Sequence, residues 1–149
     1  MAEPRDLATR KADALRMLRT ETVDVWVATA SAAGEPHLVP LSLAWVAERV
    51  VLAVDGSSVT ARNLIGSGTA RVAVGLTRDV VMIDAVLERT VDVTADQALG
   101  EAYVGQADWD PRPSPGYLFL VLRPMRLQAW REANEIAGRT LMRDGSWLV

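Results

Sequence analysis

The feature of the sequence that most constrains the fold is a series of apolar, β-branched runs between positions 23 and 130, each bounded by turn-forming residues. Such runs are typical of β-strands, and Gly, Pro, Asp and Ser mark the turns between them. Strands are predicted over Val23–Ala30, Leu38–Val46, Arg49–Val54, Thr69–Leu76, Val80–Val93 and Tyr117–Trp130. Because most connections are short, the pattern favours a closed antiparallel barrel over alternating βαβ units.

Two prolines interrupt these predicted strands. A proline cannot donate a hydrogen bond to a strand ladder, so Pro40 should mark a sheet edge, a bulge or a place where another group packs. Pro124 is expected to bend the last long strand. The first three strands are predicted to form an antiparallel meander, and Asp144-Gly145 predicts a hairpin at the end of the chain.

Three short helices are predicted at the periphery of a single domain covering residues 1–149. The first begins at Pro4 and carries apolar residues at helical spacing as far as Leu18. The second is capped by Ser58 and stops at Gly66-Ser67-Gly68. The third begins at a capping box, Thr94-Ala95-Asp96-Gln97. A proline-rich loop that contains Trp109 follows it.

Composition excludes several classes of function. The chain has no cysteine and one histidine, His37, so thiolate sites are excluded and a metal centre built from several histidines is not expected. Its 16 basic and 19 acidic residues are scattered, without the basic stripe of a nucleic-acid-binding protein. The first 19 residues fit neither a signal peptide nor a membrane span, so we expect a cytoplasmic protein with no membrane partner.

The segment after the third predicted strand has the chemistry of an anion site. Ser57, Ser58 and Thr60 bring hydroxyl groups to a helix start, where free N–H groups and the helix dipole favour negative charge. Arg62 adds a guanidinium within the same turn. The segment therefore predicts a phosphate cradle, although a plain helix cap with a surface arginine has the same pattern.

Two other kinds of site remain open at this level. Asp84 and Glu88 fall on one face of a strand, as catalytic paired carboxylates do, but a solvated strand face gives the same spacing. A hydrolase would need Ser42 or Ser58 as nucleophile and His37 as base. No Gly-x-Gly-x-x-Gly motif follows a strand, which excludes a Rossmann site.

Several segments resemble one family when they are taken together and in order. They are Gly34–Ser42, with its Gly-x-Pro-x-x-x-Pro pattern, the Ser-x-x-x-x-Asn-Leu segment Ser58–Leu64, the strand Arg71–Val74, the strand Val81–Ala85 and the closing segment Ala129–Glu132. The chain resembles the split-barrel flavin-binding proteins related to pyridoxamine 5'-phosphate oxidase, which include the actinobacterial flavin/deazaflavin oxidoreductases. The resemblance covers nearly the whole chain.

The resemblance implies a mainly β fold, a six-stranded antiparallel split β-barrel with short peripheral helices. It also implies a homodimer with a cofactor site at the interface, where coenzyme F-420 or, as the alternative, FMN passes a hydride to or from a small organic substrate. No catalytic side chain is then needed, because the ring carries the hydride. The implied cofactor-binding residues are Pro40, Leu41, Ser42, Ser57, Ser58, Thr60, Arg62 and Asn63, joined by Trp109, Arg112, Trp130 and Arg131 from the second subunit.

One position departs from the family pattern. Thr60 stands where the family has a phosphate-binding lysine, which removes a positive charge from the cradle. This departure supports an alternative, a non-catalytic protein that binds or stores a cofactor or another planar ligand. If the cradle holds a phosphate, Arg62→Ala should weaken cofactor binding by about 1 to 3 kcal/mol. Trp26 and Trp45 are expected to help Trp109 shape the pocket, and Trp130 fits either the site or ordinary packing.

Overall fold

The computed structural model describes residues 1–149, and its core is one antiparallel sheet that curls into an open barrel. The strands are β1 (Asp24–Ala30), β2 (Pro36–Ser42), β3 (Ala44–Val46), β4 (Arg49–Asp55), β5 (Thr69–Leu76), β6 (Asp79–Asp92), β7 (Tyr117–Trp130), β8 (Thr140–Arg143) and β9 (Ser146–Trp147). The helices are α1 (Leu7–Leu18), α2 (Val59–Ser67) and α3 (Gln97–Ala107), with a 3₁₀ helix at Ala133–Gly138.

The order of the strands explains why the barrel is open. Neighbours run β2-β1-β5-β6-β7-β4-β3, and β8 adds to β7 beside the short β9. Six strands have seven or more residues, and these are the six that the sequence pattern predicts. No ladder joins the two edge strands, β2 and β3, so the prediction of a closed barrel is wrong.

The predicted strand from Leu38 to Val46 is two strands. The break falls at Leu43, whose N–H donates to the carbonyl of Val23 at 3.1 Å and whose side chain is fully buried in the core. Before this point β2 pairs with β1, and after it β3 pairs with β4. The predicted meander of the first three strands is therefore wrong. Pro40 lies in the edge strand β2, as the missing donor requires.

Two helix starts also differ from the prediction. Helix α1 is capped by Asp6, which accepts the N–H of Thr9 at 2.7 Å, and Pro4 precedes it. Helix α3 is capped by Asp96, not by Thr94. A carboxylate accepts helix N–H bonds more strongly than a hydroxyl does, so it takes the cap position where both are near. The cap at Ser58 is confirmed, with its Oγ accepting from Ala61 N–H at 3.2 Å.

Buried apolar side chains alternate with exposed ones along the strands, and the buried ones form the core. Val25 and Val27 of β1 point inward and are buried, whereas Trp26 between them points outward and is 53% exposed. A smaller apolar cluster packs α3 against the outer face of β4 and β7 through Tyr103 and Phe119. This second cluster places the loop after α3 at one end of the barrel. No helix of the structure is long and apolar enough to span a membrane.

The long strands β6 and β7 bend together. Asp84 pairs with Arg126 and Ala85 with Pro124, so Met125 between them has no partner and forms a bulge. This bulge falls beside Pro124, where the sequence predicts a bend. The end hairpin is confirmed, with Asp144 and Gly145 both at positive φ between β8 and β9.

Candidate functional site

A cleft opens where the edge strand β2 passes the end of β4. Its α2 half has a volume of about 400 Å³ and reaches the start of α2 at Ser58. Its β1 half, of about 360 Å³, reaches Asp24 and Ser42. Both halves are lined by Leu41, Ala53 and Trp109, so they lie next to each other. Combined, they fall within the size range of pockets that hold cofactors.

The pleat of β2 decides which of its residues face the α2 half. His37, Val39 and Leu41 alternate with exposed residues and line the cleft. Pro40 and Ser42 line the β1 half, where Ser42 Oγ lies 3.4 Å from a carboxylate oxygen of Asp24. The edge strand thus presents an apolar surface with a single imidazole to the cleft.

Trp109 forms the opposite wall and is held in a fixed orientation. Its Nε1–H donates to the hydroxyl of Tyr103 at 3.0 Å. The rings of Tyr103 and Tyr117 meet it edge-on, at centroid distances of 6.1 Å and 5.9 Å. Burial raises the pKa of Tyr103 to about 12. The wall is therefore preorganised for a flat ring.

The predicted phosphate cradle is arranged differently from the expectation. Ser58 and Thr60 line the cleft, although Thr60 is only 3% exposed. The N–H and hydroxyl of Ser57 both donate to Asp55 Oδ1, at 2.8 Å and 2.7 Å, and these bonds hold the pKa of Asp55 below its usual value. The amide of Asn63 is buried and donates to Thr29 Oγ1 at 3.1 Å. Arg62 is exposed and does not line the cleft.

These contacts give a mixed fit to a flavin-type cofactor. The apolar face of β2 and the wall at Trp109 fit a planar tricyclic ring. The cradle does not fit a phosphate, because its Ser57 donors already serve Asp55 and its guanidinium faces solvent. The cleft therefore fits the ring of such a cofactor but not its phosphate.

Comparisons with known proteins place the fold. Neither the models of known protein families nor the curated proteins contain a match to the sequence. Solved structures do match. An F420 reductase is 18% identical, with 75% of this chain and 94% of that chain covered at a TM-score of 0.62. A pyridoxamine 5'-phosphate oxidase-related, FMN-binding protein from Nostoc punctiforme is 15% identical, with coverages of 87% and 86% and a TM-score of 0.57.

The chain has the split-barrel fold. A heme-binding protein from Mycobacterium smegmatis shares it at 19% identity and a TM-score of 0.66, covering 97% of this chain and 60% of that chain. The predicted fold class is confirmed, since proteins described as an F420 reductase and as pyridoxamine 5'-phosphate oxidase-related share the fold. Proteins of the same fold thus include binders of different planar ligands, and the fold alone does not choose among them.

Three of the four residues predicted to come from the second subunit lie away from the cleft residues of their own chain. Arg112 bonds to the carboxylate of Asp110 through Nε and Nη2, at 2.8 Å and 2.9 Å. Trp130 and Arg131 lie at the far end of β7 from Tyr117, roughly 40 Å along an extended strand of that length. Of these four, only Trp109 lines the cleft. A role for Trp130 and Arg131 requires a second subunit, as the prediction stated.

Trp26 and Trp45, which were also expected to shape the pocket, do not line the cleft. Trp26 points outward from β1, and Trp45 is buried in the core with no partner for its Nε1. Sequence reasoning missed Asp24, Asp55 and Tyr117 as lining residues. An Asp followed by Gly-Ser at a strand end is a turn signal that could have indicated Asp55.

The alternative catalytic arrangements do not form. Asp84 pairs with Arg71 and Glu88 pairs with Arg49, so these carboxylates belong to a solvated strand face. The imidazole of His37 makes no side-chain hydrogen bond, and no carboxylate orients it as a triad requires. No cluster of three or more His, Asp or Glu side chains is present to hold a metal ion.

A second cavity, of about 420 Å³, lies on the sheet over β1, β5 and β6. Its two charged residues, Arg71 and Asp84, neutralise each other, and the rest of its lining is mostly small side chains. It has no aromatic wall. The cleft beside Trp109 is therefore the better candidate site.

Proposed function

We propose that the cleft binds the ring system of coenzyme F-420 or FMN and that the protein is an oxidoreductase acting on a small organic substrate. The observation that carries this proposal is the groove between the inner face of β2 and the fixed ring of Trp109 in a split barrel. When bound, such a ring supplies hydride transfer. The absence of an oriented base or nucleophile around His37 is compatible with that chemistry.

The residues of the chain would bind, orient and shield the ring. Leu41 and Val39 offer apolar contact on one side, and Trp109 limits the other. Ser42, Ser58 and Thr60 provide hydroxyls that can hydrogen-bond polar edges of the ring and its side chain. For the ring system, that of coenzyme F-420 is our first choice and that of FMN the second, following the resemblance to the actinobacterial enzymes.

We further propose that the protein is a homodimer whose second subunit completes the site. Trp26 and Leu38, 53% and 60% exposed, form with Pro40 an apolar patch on the outer face of β1 and β2. An exposed apolar patch of this kind is typical of a contact surface. Light scattering after gel filtration should give a mass of two chains, and Leu38→Asp should shift it to one. A monomeric wild type would exclude the shared site.

A binding or storage protein is the second candidate, and His37 favours it. His37 is the single histidine of the chain, lies in the α2 half of the cleft and has no side-chain hydrogen bond. A free imidazole in an apolar groove is a suitable iron ligand, and a heme-binding protein shares the fold. Hemin should then give a sharp Soret band that His37→Ala abolishes.

One titration series tests both candidates. The purified protein is titrated with F-420, FMN and hemin, followed by fluorescence quenching or absorbance. Binding of F-420 or FMN followed by oxidation of the reduced cofactor with an organic acceptor supports the reductase. Binding without turnover across a panel of acceptors supports storage. Failure of both flavin-type ligands to bind would end the leading proposal.

A further inference from the structure

A carboxylate, that of Asp55, lies beside the hydroxyls that the sequence predicts as a phosphate cradle. Asp55 Oδ1 accepts both the N–H and the hydroxyl of Ser57, and the N–H of Ser58 donates to the backbone carbonyl of Asp55. In the first turn of α2 only the N–H groups of Val59 and Thr60 remain without a partner. The start of the helix is therefore already supplied with a negative charge from the chain itself.

The charges around the cleft also disfavour a phosphate. Asp55 lines the α2 half and Asp24 the β1 half, and no lysine or arginine lines either. Arg62 is exposed outside the cleft, and the guanidinium of Arg112 is neutralised by Asp110. Within one chain, a phosphate entering the α2 half would meet a like charge at close range without a cation from the cleft lining to offset it.

We propose that Asp55 replaces the phosphate of the ligand, so that the cleft selects a flavin-type ring ending in a hydroxyl over its phosphorylated form. This inference rests on the proposed function for the ring itself. A terminal hydroxyl can donate to the carboxylate of Asp55, whereas a phosphate dianion has only acceptor oxygens to offer it. Asp55 is then the residue that determines specificity at this end of the cleft.

Riboflavin and FMN test the inference, because they differ only by the phosphate. In wild-type protein riboflavin should bind more tightly than FMN, by roughly three- to tenfold. Asp55→Asn keeps a side-chain acceptor for Ser57 and removes the charge. It should tighten FMN by the same factor and leave riboflavin unchanged. Raising the salt concentration should strengthen FMN binding to the wild type, since it screens a repulsion.

Asp92→Asn is the matched control. Asp92 accepts the N–H and hydroxyl of Thr94 in the same type of turn, at 2.9 Å and 2.7 Å, and does not line the cleft. Its removal should leave the riboflavin-to-FMN ratio unchanged. Tighter binding of FMN than of riboflavin, or FMN binding that weakens with salt, would overturn the inference while ring binding stands. Equal affinities that Asp55→Asn does not alter would also overturn it.

The same titrations separate this inference from the proposed function. If neither riboflavin nor FMN binds folded wild-type protein, the flavin proposal fails and the role of Asp55 fails with it. If Asp55→Asn does not fold, the wild-type affinity ratio and its salt dependence still decide the question, because both come from the unmodified chain.

Discussion

The charged groups at the N-terminal end of the split barrel and those at the cleft are held in different ways. Glu135 is 3% exposed and accepts from the Nε and Nη2 of Arg5 at 3.0 Å and 2.8 Å, and from the N–H of Arg131 at 2.8 Å. Arg5 also bonds to Asp13, and Arg10 lies beside the same glutamate. This network ties the N-terminal segment to the 3₁₀ helix.

The cleft shows the opposite arrangement. His37, Asp24 and Asp55 form no ion pair, although all three line the groove. Charges that satisfy one another stabilise the fold, whereas polar groups without an ionic partner in a groove remain available to a ligand. By this difference the Glu135 network is a structural region and the cleft a candidate site. Four experiments test this contrast.

The largest expected effect comes from breaking the network. Glu135→Ala removes the anion beside Arg10 and leaves Arg5 with Asp13 as its remaining close partner. It should lower the free energy of unfolding by about 3 to 5 kcal/mol, measured by urea denaturation. Glu132→Ala is the control, since its partner Arg78 is 81% exposed at 3.4 Å and the pair should contribute less than about 1 kcal/mol. Equal losses of unfolding free energy in both variants would contradict the contrast between the buried network and an exposed ion pair.

The network should also govern stability in acid. The hydrogen bonds from Arg5 lower the pKa of Glu135 from 4.5 to about 2. Its stabilisation is therefore fully present above about pH 4.5 and is lost as the pH falls towards 2, amounting to roughly 3 kcal/mol for such a shift. Urea denaturation across this range should show a steeper decline for wild type than for Glu135→Ala. Parallel declines of the unfolding free energy in the two proteins would refute a role for Glu135 in acid stability.

The contrast between the two regions also shows what the sequence could reveal. Strands β5 and β7 match the predicted Thr69–Leu76 and Tyr117–Trp130 because β-branched periodicity is a local property. The break at Leu43 was not predictable, since its cause is a hydrogen bond to Val23, twenty positions earlier, and burial in a core formed by distant strands. The pairings between strands distant in sequence, such as β1 with β5 and β4 with β7, were missed for the same reason.

The site was predictable only where local chemistry builds it. The cap at Ser58 and the edge position of Pro40 follow from the residue types and are present. The support of Trp109 by Tyr103 depends on how α3 packs, so no local pattern signals it. The sequence predicts that Ser57 donates hydrogen bonds to a phosphate. In the structure its N–H and hydroxyl donate to Asp55 instead.

Within the cleft, Trp109 should matter most. Trp109→Ala removes the aromatic wall and should weaken FMN or F-420 ring binding by about 1 to 1.5 kcal/mol, roughly tenfold. Fluorescence titration measures this change. Trp130→Ala is the comparison, since Trp130 stacks with Arg139 at the other end of β7. If Trp130→Ala weakens binding equally, the second subunit supplies that ring to the site.

The smallest effect is expected from Arg62→Ala. The sequence alone predicts a loss of about 1 to 3 kcal/mol for this change. Since the side chain of Arg62 is exposed and does not line the cleft, we now expect less than about 1 kcal/mol for FMN, by the same titration. A loss in the original range would restore the cradle and weaken the case for Asp55.

The edge strand β2 carries prolines at both Pro36 and Pro40, and no other strand of the chain pairs with its outer side. An unpaired edge is normally a template on which further copies add strands and grow into fibrils. Each proline removes one donor from that template. The barrel can therefore remain unclosed, with its groove accessible, while resisting strand-by-strand aggregation.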